Sequence, residues 1–166
     1  MTLFIGMDLS SKKIAAVGYN NRSDQAQLWL ETIGKQSKAF HPEVLDIAYH
    51  ATIKIASEFR LMGKPDERVV CMVEAPIHGR GIKTTITLGK ISGVVQLALV
   101  QSGFHPEEVN VSTWKAVVCG NGRASKEDVE RSIRTKWGGV YKKTGGEQDV
   151  IDASAVCLYG VIRESR

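Results

Sequence analysis

Arg68-Val-Val-Cys-Met-Val-Glu74 is the stretch on which the fold turns. Its unbroken apolar run reads as a short strand buried on both faces, and such strands lie inside sheets that helices cover on both sides. Pro76 lacks the N–H that a ladder needs, so the run cannot continue past it as a central strand. Upstream, Leu3 to Asp8, Lys13 to Tyr19 and Ala26 to Ile33 are further short apolar runs, the last two separated by the turn-forming Asn20-Asn-Arg-Ser-Asp24. Together they predict a three-stranded antiparallel meander. Pro42 then opens a helix whose apolar positions, Leu45, Ala48, Ala51, Ile55, Phe59 and Met62, recur at helical spacing until Gly63 stops it.

Downstream, the glycine-rich His78-Gly-Arg-Gly81 leads to a long helix from about Thr84 to Gln101, ended by Gly103. A short strand is expected at about Val109 to Val111, then a helix from Thr113 to Cys119, capped by Ser112 and closed by Gly120. Ser125-Lys-Glu-Asp128 is a capping-box pattern that starts another helix. Gly138-Gly139 and Gly145-Gly146 bracket a loop, and a last helix runs from about Asp149 to Arg163. A meander followed by alternating strands and helices predicts an α/β fold with a mixed five-stranded sheet. With no internal repeat or linker, residues 1–166 read as one domain.

Composition narrows the function classes. The net charge of +4 is compatible with a polyanionic partner, and its distribution is more telling. Acids thin out between Glu74 and Glu107, where Arg80, Lys83 and Lys90 lie, and Lys115, Arg123 and Lys126 form a second basic group. No apolar run approaches the roughly 20 residues of a membrane helix, so no membrane partner is expected. The start of the chain lacks a basic n-region and reaches Asp8 too soon for a signal peptide. Cys71, Cys119 and Cys157 match neither a zinc site nor a disulfide framework and read as free thiols of a cytoplasmic protein.

Four carboxylates stand out by position. Asp8 ends the first strand and Glu74 the buried one, while Asp149 and Asp152 stand three apart in the first turn of the last helix and share a face. Two divalent cations roughly 3.5–4 Å apart can activate a water and stabilise the leaving oxygen of a phosphodiester. Hard Mg²⁺ takes oxygen ligands and keeps several waters, so a few carboxylates from different elements suffice. Should the first and fourth strands be neighbours, Asp8 and Glu74 come side by side. Structural alternatives stay open for each. Asp8 could form a turn, Asp149 could cap a helix, Asp152 could serve the helix dipole, and Glu74 could pair with Arg80 or Lys83.

At these residues the chain resembles the RuvC-type Holliday junction resolvases, a branch of the ribonuclease H-like nucleases. The resemblance spans nearly the whole chain. It rests on Gly6-Met-Asp8 with Gly18, on Val73-Glu74 followed by Leu88-Gly-Lys-Ile-Ser-Gly93-Val94, on Trp114-Lys-Ala-Val-Val-Cys-Gly-Asn-Gly-Arg-Ala-Ser-Lys126, and on Asp149-Val-Ile-Asp152-Ala-Ser-Ala. It implies a ribonuclease H-like fold, and an endodeoxyribonuclease that cuts four-way DNA junctions with paired symmetric nicks. It also implies a metal site of Asp8, Glu74, Asp149 and Asp152 holding two Mg²⁺ ions, with Mn²⁺ able to substitute. Lys115 and Lys126, otherwise solvated helix residues, match lysines near the scissile phosphate. Arg123, Arg80 and Lys83 are further expected DNA contacts. Symmetric cutting implies a homodimer, for which the helix bearing Gly89 and Gly93 is the interface candidate; these glycines could equally pack on the parent sheet.

The chain departs from the family pattern at two places. Leu9-Ser10-Ser11 follows Asp8 where many members have Pro-Gly-Ser, and Ile77 stands where bacterial members carry an aromatic that stacks on junction bases. His78 is the nearest ring, and the departure implies weaker preference for junctions over other branches. Rival readings are a less selective flap, fork or structured-RNA nuclease, and a non-catalytic module that binds branched DNA. An actin-like sugar kinase needs a second lobe for which the chain is too short.

Overall fold

The computed structural model describes residues 1–34, 42–64, 66–76 and 81–166. Strand β1 (Thr2–Leu9) pairs antiparallel with β2 (Lys13–Asn20), which pairs antiparallel with β3 (Gln25–Thr32). After helix α1 (Glu43–Met62), β4 (Arg68–Glu74) lies parallel to β1, and β5 (Pro106–Val109) lies parallel to β4 beyond helix α2 (Ile82–Gln101). The sheet order is β3-β2-β1-β4-β5, so β4 is interior, as its apolar run demands. Four helices close the chain: α3 (Val111–Cys119), α4 (Lys126–Lys136), α5 (Gly138–Lys143) and α6 (Gln148–Glu164).

The two faces of the sheet bury two cores. Leu3, Ile5, Met7, Ile14, Ala16, Cys71 and Val73 pack with Ile55 and Phe59 of α1 and with Ile91, Val95 and Leu99 of α2. Phe4, Ala15, Val17, Val70 and Met72 pack with Trp114, Val129, Val140 and the apolar stripe of α6 on the other face. Side chains alternate along a strand. The series Phe4, Gly6, Asp8 on β1, Val70, Met72, Glu74 on β4 and Lys13, Ala15, Val17 on β2 therefore all point toward α3–α6. Strand parity alone carries Asp8, Glu74 and Lys13 to one face at one end of the sheet.

Several boundaries differ from the sequence expectation, each for a local reason. The segment 138–146 is not all loop: it contains α5, held by buried Val140. Helix α2 begins at Ile82 rather than Thr84, directly after Gly81 at φ 94°. The fifth strand is Pro106–Val109 rather than 109–111, a proline being tolerated on an edge strand. Helix α3 starts at Val111 behind Asn110, not behind Ser112, and closes at left-handed Gly120. The capping box holds as read, with Ser125 accepting from the Asp128 N–H and Asp128 accepting from the Ser125 N–H.

Candidate active site

Asp8 and Glu74 directly follow Met7 and Val73, the last paired residues of two adjacent parallel strands, so the carboxylates leave the sheet side by side. Helix α6 crosses β1 at backbone contact. A Cβ on Gly6 would stand 2.2 Å from the Cys157 nitrogen and 2.5 Å from the Ala153 carbonyl oxygen, so only glycine fits. That approach lowers the first turns of α6, with Asp149 and Asp152, onto the end of β1. Asp149 does not cap the helix: Glu147 holds the cap position, and no side chain caps it. Since α6 begins at Gln148, Asp152 starts the second turn rather than sharing the first with Asp149.

The electrostatics show the other three acids acting on Asp8. The Asp8 carboxyl is pushed well above the usual range, first by burial and then by the charges of Glu74, Asp152 and Asp149, with the Leu9 N–H opposing. The Asp152 carboxyl is also raised by burial, against the pull of Gln148, Lys126 and Lys115. The structure thus brings Lys115 and Lys126 to the acid cluster. Lys126 is exposed in the first turn of α4, as expected. Lys115 is not simply solvated: it is half-buried, and its ammonium donates to the Ala124 carbonyl at 2.6 Å, tying down the loop before α4. Arg123 is exposed on that same loop, and Lys83 is exposed in the first turn of α2. Ile77, His78 and Arg80 lie outside the described residues.

Three residues that sequence reasoning passed over complete the cluster. Trp114 Nε1 donates to Glu74 Oε2 at 2.9 Å. Gln148 Nε2 donates to Asp152 Oδ1 at 2.9 Å. The Lys13 ammonium lies 3.3 Å from Asp149 and 3.7 Å from Glu147. Strand parity could have flagged Lys13, and i,i+4 spacing could have flagged Gln148. Trp114 gave only the signal of a core aromatic beside Lys115. With the outer carboxylates turned onto these partners, no three His, Cys, Asp or Glu side chains converge on one point among the described residues. The side chains present nonetheless suit a hard divalent cation: all four offer carboxylate oxygens, and half-buried Asp8 faces an excess of like charge that a cation would relieve.

This repulsion has a consequence for stability. The folded Asp8 carboxyl holds its proton more tightly than the unfolded one, so its contribution is fully present below the unfolded value of roughly 3.9 and is lost as pH rises through the raised folded value. In EDTA, Asp8→Asn should therefore melt above wild type near neutral pH, and the gap should close on acidification. A series of thermal melts across mildly acidic pH tests this. A gap that is independent of pH, or that opens toward acid, contradicts the account of burial and repulsion.

Comparison with known proteins shows the family of the chain. The family profile of crossover junction endodeoxyribonuclease RuvC matches residues 64–160, more than half of the chain. The chain is similar to the crossover junction endodeoxyribonuclease RuvC of Finegoldia magna, 30% identical over 151 residues that cover 87% of this chain and 85% of that one. Its fold is similar to the Thermus thermophilus RuvC structure, with a TM-score of 0.73 at 20% identity, covering 98% of this chain and 96% of that one. It is equally similar to the Thermus thermophilus RuvC solved in complex with Holliday junction substrate, with a TM-score of 0.74 at 19% identity and coverage of 99% and 97%. With its ribonuclease H-like sheet and its acidic cluster at the joined ends of β1 and β4, the chain belongs to the RuvC family of crossover junction endodeoxyribonucleases.

Proposed function

We propose that this protein resolves Holliday junctions by hydrolysing two symmetric phosphodiesters, with Asp8, Glu74, Asp149 and Asp152 holding Mg²⁺. The observation that carries the site assignment is Asp8, a half-buried carboxylate beside Glu74 at the ends of two parallel strands and within the charge of Asp149 and Asp152 on α6. Mg²⁺, when bound, supplies activation of a water and neutralisation of the charge that develops on the phosphate. Asp8 is central and faces each of the other three carboxylates. Glu74 and Asp152 flank it from β4 and α6, and Asp149 assists once released from Lys13. Lys115 and Lys126 bring positive charge to the edge of the cluster, where a phosphate enters. The first turn of α4 adds its N–H groups on that side. Arg123 and Lys83 extend the basic surface along the DNA. The chemistry calls for action where chromosomal or viral DNA is recombined, which in a bacterial host is the cytoplasm. No helix among the described residues is long and apolar enough to cross a membrane.

The test offers purified protein a four-way junction, a fork, a flap and a linear duplex side by side, in Mg²⁺, Mn²⁺ or EDTA, and maps the cuts. Paired, symmetric, metal-dependent nicks confined to the junction are expected. Equal cutting of fork and flap would replace this reading with that of a general branched-DNA nuclease, which Ile77 in place of an aromatic favours.

The two lysines should separate by their surroundings. Lys126→Ala, at an exposed position, should slow cutting while changing stability by no more than about 0.5 kcal/mol. Lys115→Ala should slow cutting and also cost about 1.5 kcal/mol, because it removes a charged hydrogen bond that pins the 120–124 loop. Normal cutting by the folded fraction of either variant would make that residue structural.

Paired nicks need two active sites, and α2 offers the face for a second copy. Ile82, Ile86, Leu97 and Val100 stand exposed along it, with Gly89 and Gly93 between them. A Cβ on either glycine would meet nothing within 4 Å, so these glycines do not pack on the parent sheet and leave room for close approach of a second helix. Leu97→Glu should give a monomer by sedimentation that nicks junctions singly. A variant that remains dimeric and cuts in pairs would move the interface elsewhere.

A further inference from the structure

Trp114 is the largest of the fully buried side chains among the described residues, 1% exposed in the core between the sheet and α3–α6. A phenylalanine or leucine could fill such a space without asking anything of its neighbours. An indole asks for an acceptor, because a buried N–H left without one is costly. Here the acceptor is not a backbone carbonyl but the carboxylate of Glu74, met at 2.9 Å. The same ring has a second charged neighbour. The Lys115 ammonium lies 5.6 Å from its centroid while donating to the Ala124 carbonyl. An aromatic ring is electropositive at its edge and electronegative on its face. Trp114 therefore turns its N–H edge to the acid and its face to the lysine, and it touches both halves of the site.

The ring is also well held. Val70 and Met72 of β4, Val118 of α3 and Val129 of α4 belong to the same core, so its orientation is set by packing on several elements. A hydrogen bond from so fixed a donor restricts the rotation of the glutamate side chain. Groups that orient metal-binding carboxylates in this way typically control affinity for the ion.

We propose that Trp114 is a positioning residue of the active site: its indole N–H sets the Glu74 carboxylate in the orientation that takes the divalent cation, and its face sets Lys115 beside it. The proposal rests on the assignment of Glu74 as a ligand. A ring that served packing alone would affect the melting temperature and leave the metal affinity of the folded protein unchanged.

The protein has three tryptophans, Trp29, Trp114 and Trp137, and so three indole N–H resonances after ¹⁵N labelling. Single Trp→Phe changes at each position assign them, Trp29 and Trp137 sufficing by elimination should Trp114→Phe not fold. On addition of Mg²⁺ without DNA, the Trp114 resonance should move. Trp29, edge-on to Phe59, and Trp137, edge-on to Tyr19, should stay in place. Calorimetric titration with Mg²⁺ should show affinity falling by about 10-fold or more in Trp114→Phe, as when a group that orients a ligand is removed. Glu74→Gln should lose at least as much and should abolish the response of the Trp114 resonance. Wild-type Mg²⁺ affinity in Glu74→Gln would remove Glu74 from the ligand set, and the inference would fall with that assignment. Weakened binding in Glu74→Gln, together with a Trp114 resonance that does not move, would overturn the inference alone. So would wild-type affinity in a folded Trp114→Phe.

Discussion

Asp8→Asn is expected to abolish Mg²⁺-dependent cutting, by at least about 100-fold, while leaving junction binding intact. The substitution keeps the shape of the side chain and removes its charge. The Asp8 carboxyl is raised first by burial and then by the charges of all three of the others, so it is the acid that each of them reaches. A neutral amide there binds a divalent cation poorly, and the chemistry the cation supplies is lost with it. Binding of DNA is proposed to rest on a different set of groups. Lys126, Arg123 and Lys83 are exposed cations, and contacts of this kind to phosphate dominate affinity and make it fall steeply with salt. Removing one negative charge from the surface that faces DNA spares or strengthens those contacts. Cleavage rates in Mg²⁺ and gel-shift titrations in EDTA at several salt concentrations measure the two effects separately. Cutting near the wild-type rate would end the assignment of Asp8, and loss of binding would show that the carboxylate supports the DNA surface itself.

The acidic residues were legible because each sits at the end of an element, where sequence carries most information about direction. Glu74 closes an apolar run that had to be interior, and Asp8 closes the strand that turned out to be its neighbour. The pairing of Asp149 with Asp152 is a matter of helical spacing. Their partners were not legible on the same terms. Trp114, Gln148 and Lys13 belong to three different elements, and what they contact depends on how those elements are stacked, not on local pattern. An aromatic in a short helix reads as core, and Trp114 is core; its N–H bond to Glu74 is a second role that packing alone reveals.

The same distinction explains where the fold was misread. Helix α5 hides in a glycine-flanked segment because its stability comes from burying Val140 against its neighbours rather than from helix propensity. Lys115 looked like a solvated helix residue because its acceptor, the Ala124 carbonyl, is nine positions away across a turn. The glycines of α2 were ambiguous between inward and outward packing until the helix was seated, and both face outward into open space.

Among the glycines of the described residues, Gly6→Ala should be the most damaging addition of a methyl group. The added Cβ would lie 2.2 Å from the Cys157 nitrogen, 2.5 Å from the Ala153 oxygen and 2.6 Å from the Cys157 Cα, all of them backbone of α6. No rotamer change relieves a clash with backbone, so the helix must move away from β1 or the sheet must bend. Overpacking of ordinary core sites costs roughly 1–3 kcal/mol, and a clash that no side chain can absorb should cost about 3 kcal/mol or more. That is a large fraction of the roughly 5–15 kcal/mol that holds a domain folded. Activity should fall beyond what the loss of folded protein explains, because α6 carries Asp149 and Asp152 toward Asp8 and a shift of about 1 Å in a group at a reacting centre can cost about 100-fold in rate. Gly18→Ala is the control. Its added methyl meets the Phe59 ring at 2.7 Å and the Met62 sulfur at 2.9 Å, both side-chain atoms, on the face of the sheet away from the carboxylates. Gly18→Ala should lose less stability and cut normally per folded molecule. Gly6→Ala should melt far lower, and its folded fraction should bind Mg²⁺ weakly and cut slowly. A Gly6→Ala protein with the melting temperature and cutting rate of wild type would mean that α6 does not lie on β1 at backbone contact, and the placement of the last two carboxylates would fall with it.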